Sequence, residues 1–97
     1  MIKYIAELIG TFLFVSIILN ALKRNTGMSS IPVAIGIGLV AAIILVGPIS
    51  GGHLNPVVSL VSYLNHSMTQ NELMFYVVAQ CTGGVLAKLY FDKTQIN

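Results

Sequence analysis

The chain is interrupted near its middle by the stretch Ser50-Gly51-Gly52-His53-Leu54-Asn55-Pro56-Val57. The rest is strongly apolar, because 56% of the residues are hydrophobic and only 8% are charged. Hydrocarbon tolerates such polar, glycine-rich backbone only where it is buried in protein or lines a water-filled cavity. The apolar run that follows, residues 57–64, is too short to span a bilayer. In a membrane protein this pattern predicts a re-entrant loop and half-helix over about residues 50–65.

Composition and segment length both predict that the chain lies in a membrane. Three apolar blocks cover residues 4–22, 31–48 and 73–91, close to the roughly 20 residues that a helix needs to cross a bilayer. A soluble three-helix domain is the weaker interpretation, since such domains carry about 25% charged residues. A signal peptide is also disfavoured, because the first block exceeds the ~7–15 residues of a typical apolar signal core. We therefore expect an all-α, multi-pass integral membrane protein, a single module over residues 1–97 with three spanning helices and one half-helix.

The segments between the apolar blocks predict how the helices begin and end. Residues 23–27 and 65–72 are polar and are expected to form aqueous loops. Pro48, with Gly51 and Gly52 after it, is expected to end the second span. Thr69 followed by Glu72 fits a capping box for the third span. Each block also carries small residues at four-residue intervals, which favours close helix packing in lipid.

Asn55 and Pro56 carry the main functional prediction. Asn is a preferred helix N-cap and Pro is favoured at the first helical position, so the pair predicts a half-helix whose positive end points towards the bilayer centre. The Asn55 amide can donate a hydrogen bond to a passing solute, and the backbone of Gly51, Gly52 and His53 can present carbonyl acceptors. Such a site suits water or a small neutral hydroxylated solute and disfavours cations. The alternative is that the pair merely begins a buried helix.

Other function classes have little support in the sequence. It offers no paired carboxylates, no nucleophile with a base and no metal-ligand cluster, so we expect no catalytic residues, no cofactor and no metal ion. His53 has no second ligand nearby in sequence and is expected to be structural. The net charge of +2 includes no basic tract, and a nucleic-acid partner is therefore not expected. The partners expected are membrane lipid and the solute.

In the segment of residues 50–59 the chain resembles the aquaporin and glycerol-facilitator family, the major intrinsic proteins. Their first re-entrant loop reads Ser-Gly-x-His-x-Asn-Pro-Ala-Val-Thr, and this chain has Val57 in place of the alanine and Ser59 in place of the threonine. Two further segments resemble the family's first and third helices, namely Ala6-Glu7-Leu8-Ile9-Gly10-Thr11 and Tyr76-Val77-Val78-Ala79-Gln80-Cys81 with Gly83. The resemblance runs from end to end but covers only the first of the family's two inverted repeats. It implies half of an aquaporin-like fold.

The resemblance also implies a function and roles for particular residues. It implies passive transport of water or small neutral solutes such as glycerol, with the half-helix lining the pore at Asn55, Pro56 and Val57. It implies that Glu7 and Gln80 hold the re-entrant loop by hydrogen bonds. The remaining pore-lining positions that it implies are Gly51, Gly52, His53 and, at the outer constriction, Ile35.

A single repeat raises the question of what completes the pore. In the family two half-helices meet tip to tip from opposite membrane faces, so we expect a homo-oligomer of oppositely inserted chains, or a second half-channel chain. The alternative is a truncated, non-conducting fragment of a longer gene, or a subunit that needs such a partner.

Charge placement bears on the orientation of the chain in the membrane. Lys3 lies on one side, whereas Lys23, Arg24 and, less directly, Lys88 and Lys93 lie on the other. The positive-inside rule therefore favours an outside N-terminus, whereas the resemblance implies an inside one.

Overall fold

The computed structural model describes residues 1–24 and 30–95, and these residues form four α-helices with no β-strand among them. The helices are α1 (Ile2–Arg24), α2 (Ser30–Ser50), α3 (Pro56–Leu64) and α4 (Gln70–Thr94). Helices α1, α2 and α4 have 23, 21 and 25 residues and are apolar enough to cross a membrane. At 1.5 Å per residue they are about 34, 31 and 37 Å long, against about 30 Å of hydrocarbon. The predicted all-α membrane fold is confirmed.

The helix ends differ from the apolar blocks in the sequence. Lys23 and Arg24 form the last turn of α1 instead of a loop, where cations interact favourably with the negative end of the helix dipole. The rest of the predicted loop at residues 23–27 lies outside the described residues. Pro48 does not end α2, which continues to Ser50. Proline removes its own N–H, and its ring crowds the carbonyl of residue i−4. The helical hydrogen bonds nevertheless resume after it, since Gly51 N donates to the Gly47 carbonyl at 2.8 Å.

Helix α1 lies between α2 and α4 and packs against both. It is antiparallel to α2, since Gly10 faces Val46 and Gly38 faces Ile17. It is parallel to α4, because Lys3 pairs with Glu72 near one end and Lys23 hydrogen-bonds Gln95 at the other. We call these ends of the bundle the Lys3 end and the Arg24 end.

Small residues let the helix backbones approach closely, as the sequence predicts. A Cβ atom added at Gly83 of α4 would lie 2.3 Å from the Leu8 carbonyl oxygen of α1. Ala6, Gly10, Ala42, Ala79 and Ala87 are also buried. Ala34, in contrast, is only partly buried, and it lines a groove that is described below.

Helix α3 covers only half the depth of the bundle. Its nine residues measure about 13 Å, and Ser59 of α3 is bonded to Gln80, about 15 Å along α4 from the Lys3 end. A short connection then returns the chain to the capping box of Thr69 and Glu72, which is present at the start of α4. Asn55 therefore lies near mid-depth, and α3 leads from there back towards the Lys3 end.

Candidate functional site

The loop before α3 adopts a backbone that most residues avoid. Gly51, Gly52 and Leu54 have φ values of 91°, 63° and 55°, all in the left-handed region where glycine is favoured. Gly52 is also confined, because an added Cβ would lie 3.4 Å from the Gly47 Cα atom. Leu54 has no such freedom, and an L-residue pays about 1–2 kcal/mol for this conformation. Its buried side chain and its N–H must therefore be held by other parts of the fold.

Glu7 accepts several of the hydrogen bonds that fix the conformation of this loop. The side chain is fully buried in α1, and each carboxyl oxygen accepts two hydrogen bonds. Oε2 accepts from Ser50 Oγ at 2.6 Å and from His53 N at 3.0 Å. Oε1 accepts from Leu54 N at 2.8 Å and from Gln80 Nε2 at 3.0 Å. A single carboxyl group thus joins α1 and α4 to both ends of the 50–54 segment.

Gln80 carries the network from α4 into α3. Besides its bond to Glu7, its Nε2 donates to Ser59 Oγ at 2.9 Å. Ser59 Oγ also lies 2.8 Å from His53 Nδ1, so this hydroxyl links the half-helix to the loop that precedes it. Gln80 Oε1 is buried and has no hydrogen-bond partner within the described part of the chain.

Two members of this network were missed by sequence reasoning. In the sequence Ser59 stands out only as a substitution within the loop motif, yet it is fully buried and bonded on two sides. Tyr76 stands out only as part of a helix signature, yet its hydroxyl donates to the Ser50 carbonyl at 2.7 Å and its ring centroid lies 5.0 Å from that of His53. A polar residue within an apolar span is the signal that could have identified both.

Asn55 caps α3 and is itself exposed. Its Oδ1 accepts from Val57 N at 2.7 Å, and Pro56 occupies the first turn. No hydrogen bond of the Asn55 amide NH₂ group, or to the carbonyl oxygens of Gly51, Gly52 and His53, is found within residues 1–24 and 30–95. Val57 is 64% exposed. The exposed residues Gly51, Asn55 and Val57 and the positive end of α3 therefore meet on one surface near mid-depth, which we call the α3 tip. Gly52 is buried and His53 is half-buried beside it.

Ile35 lies apart from this surface. It is partly exposed on α2, fifteen residues before Ser50, which is about 22 Å along the helix axis. The structure therefore brings together Glu7, Gln80 and the 51–57 segment but leaves Ile35 near the Arg24 end.

Comparison with known proteins establishes the family. The family model described as major intrinsic protein matches residues 1–97. The chain belongs to the major intrinsic protein family. Proteins of this family sit in membranes and are channels for water or glycerol, so this family member is a multi-pass integral membrane protein.

Curated relatives within the family include several bacterial proteins. The chain is 36% identical to aquaglyceroporin AqpS of Rhizobium meliloti, over 93% of this chain and 44% of the relative. It is 35% identical to aquaporin Z of Photorhabdus laumondii, over 88% and 40% of the two chains. It is 32% identical to glycerol uptake facilitator protein-like 6 of Lactiplantibacillus plantarum, over 88% and 40%. The chain thus spans less than half the length of these relatives and matches their N-terminal part. No solved structure matches it.

Proposed function

We propose that this chain forms half of a membrane channel for passive transport of water or small neutral solutes such as glycerol. The observation that carries the proposal is the α3 tip, where the Asn55 amide is exposed near mid-depth and the three backbone carbonyls of residues 51–53 have no hydrogen-bond partner within the described part of the chain. In hydrocarbon each unsatisfied polar group costs several kcal/mol. A water-filled pore satisfies these groups, because water or a passing solute can form hydrogen bonds with them.

The chemistry of the tip favours neutral solutes that both donate and accept hydrogen bonds. The Asn55 NH₂ group can donate to a solute oxygen, while the carbonyls of Gly51, Gly52 and His53 can accept from its hydroxyl hydrogens. Pro56 and Val57 add apolar surface beside this column. The positive end of α3 raises the energy of a cation at the same place. The relatives include an aquaporin, an aquaglyceroporin and a protein named for glycerol uptake, so both solutes belong in the proposal.

A second half is needed to enclose the pore, since α3 covers only the half of the membrane nearest the Lys3 end. Three sources fit: another copy inserted in the opposite orientation, a separate half-channel chain, and a second repeat of a longer chain to which these residues belong. The second candidate function follows from the same observation. If the tip finds no partner half, the chain is a non-conducting subunit.

Flux through vesicles tests the proposal. Vesicles that hold the chain should shrink faster than empty vesicles under an osmotic gradient, and glycerol should re-enter them faster. Asn55→Asp removes the amide donor and places a carboxylate at the tip, so we expect slower water flux and a sodium leak. Asn71→Asp makes the same chemical change at an exposed position in the first turn of α4 and should leave both properties unchanged.

Each alternative result has a defined meaning. Equal behaviour of the two variants would contradict the placement of Asn55 in the pore. Flux equal to that of empty vesicles, from chain that is inserted and folded, would favour the non-conducting subunit.

A further inference from the structure

A groove between α1 and α2 at the Arg24 end is separate from the α3 tip. Its volume is about 430 Å³, within the roughly 300–1,000 Å³ typical of small-molecule sites. Among the described residues, Ala34 is the one from α2 that lines the groove, and its methyl group fills little of the space between the two helices. Its apolar wall comes from Leu13 and Ile17.

Polar groups follow one edge of this groove at four-residue intervals along α1. Ser16, Asn20 and Arg24 all line it, and this spacing places them on one helix face. Ser16 Oγ is buried and has no hydrogen-bond partner within the described residues. Asn20 uses one amide hydrogen on the Ser16 carbonyl, which leaves its other hydrogen and its oxygen available. No ion pair of Arg24 is found within residues 1–24 and 30–95.

A second groove between the same two helices provides an internal comparison. It lies at the Lys3 end, has a volume of about 380 Å³ and is lined only by apolar residues. None of the basic residues in the described part of the chain lines it. The two grooves therefore offer similar space for a lipid chain, but only the one at the Arg24 end can also bind an anionic group.

The basic residues of the chain are concentrated at the end of the bundle that holds the first groove. Because α1 and α4 are parallel, four of the five Lys and Arg residues lie towards the Arg24 end. Lys23 is engaged with Gln95, and Lys88 with Asp92. This leaves Arg24 as the cation at the mouth of the groove, with further positive charge nearby.

We propose that this groove binds one anionic phospholipid, with an acyl chain against Leu13, Ile17 and Ala34 and the phosphate on Arg24. Guanidinium groups bind phosphate oxygens in a bidentate geometry. Asn20 and Ser16 lie about 6 and 12 Å below Arg24 along the helix axis. The polar layer of a leaflet is about 5–7 Å thick, so Asn20 lies at the depth of the lipid ester groups and Ser16 just below them.

Native mass spectrometry of the purified chain in a neutral detergent tests this proposal. Phosphatidylglycerol and phosphatidylcholine with identical acyl chains are titrated separately. We expect phosphatidylglycerol to bind tighter and with a stoichiometry of one per chain. Arg24→Gln should weaken its binding about tenfold, the loss expected for a hydrogen bond to a charged group, without changing phosphatidylcholine binding.

Two control variants distinguish binding in the groove from the effects of surface charge and of added apolar surface elsewhere on the protein. Lys93→Gln removes a cation on α4 near the same end and should leave phosphatidylglycerol binding within about twofold, because a contact outside the site adds little. Ala34→Leu fills the groove and should weaken binding, whereas Ala41→Leu adds the same side chain at an exposed position of α2 and should not.

Three results would overturn the proposal. They are equal binding of the two lipids, equal losses in Arg24→Gln and Lys93→Gln, and equal behaviour of the two leucine variants. If Ala34→Leu fails to fold, the exposed Arg24 and Lys93 variants decide the question alone.

Discussion

Glu7→Ala should lower the free energy of unfolding by about 3 kcal/mol, because it leaves four hydrogen-bond donors without their acceptor. Three of the donors, Ser50 Oγ and the backbone N–H groups of His53 and Leu54, belong to the segment that leads into α3. Without these bonds Leu54 keeps its left-handed conformation only through the packing of its buried side chain and through the bonds that its neighbours Ser50 and His53 make. We therefore expect the α3 tip to lose its fixed position even where the three long helices remain assembled.

Helix loss on titration with a denaturing detergent, followed by circular dichroism, measures this effect. Glu72→Ala is the matched control, since Glu72 is a partly exposed glutamate that pairs with Lys3 and caps α4. Its effect should be much smaller. If both variants unfold at the same detergent fraction, Glu7 does not hold the loop.

Gly83→Ala and Gly84→Ala should have opposite effects although the two glycines are neighbours. At Gly83 the new Cβ would lie 2.3 Å from the Leu8 carbonyl oxygen, a backbone atom that can move only with α1. We expect this overpacking to cost about 1–3 kcal/mol of stability. At Gly84 the nearest atom is Val15 Cγ2 at 3.9 Å, so the alanine fits and should stabilise the helix by up to about 1 kcal/mol.

The same detergent titration measures both glycine variants, and each is the control for the other. Gly83→Ala should unfold at a lower detergent fraction than the original chain, and Gly84→Ala at an equal or higher one. Equal destabilisation by both would mean that α1 and α4 do not meet at Gly83.

Much of the fold could be predicted because its signals are local. Block lengths predict the three spanning helices, Asn55 and Pro56 predict the start of α3, and the spacing of Thr69 and Glu72 predicts the α4 cap. The continuation of α2 past Pro48 could not be predicted from proline chemistry alone. Its last residue, Ser50, is bound by Tyr76 and Glu7 from two other helices, and no local pattern predicts these contacts.

The candidate site was harder to predict because its contacts join distant parts of the chain. The resemblance to the family implied supporting roles for Glu7 and Gln80, and the structure gives their partners. The links through Ser59 and Tyr76 depend on how α3 and α4 face each other, which no local pattern encodes. The roles of the α3 tip and of Ile35 in transport stay predictions.

The direction of insertion also stays a prediction. The parallel arrangement of α1 and α4 places Lys88 and Lys93 towards the same end as Lys23 and Arg24, whereas Lys3 at the opposite end is paired with Glu72. The positive-inside rule therefore favours the Arg24 end on the cytoplasmic side, whereas the resemblance to the family implies that the Lys3 end lies there. In the orientation that the rule favours, α3 would enter from the outer face, and a partner half would have to enter from the inner one.

The central claim is that the α3 tip faces water inside a membrane, and cysteine labelling tests it most directly. Cysteine is placed at Val57 or at Val78, in a Cys81→Ser background, and membrane-embedded chains are treated with a charged, membrane-impermeant thiol reagent. The two valines are similarly exposed, at 64% and 62%, but Val57 lies on the tip and Val78 on the outer surface of α4. Only a thiol that contacts water ionises and reacts readily. A water-filled pore at the α3 tip predicts fast labelling at position 57 and slow labelling at 78, and equally slow labelling at both would contradict it.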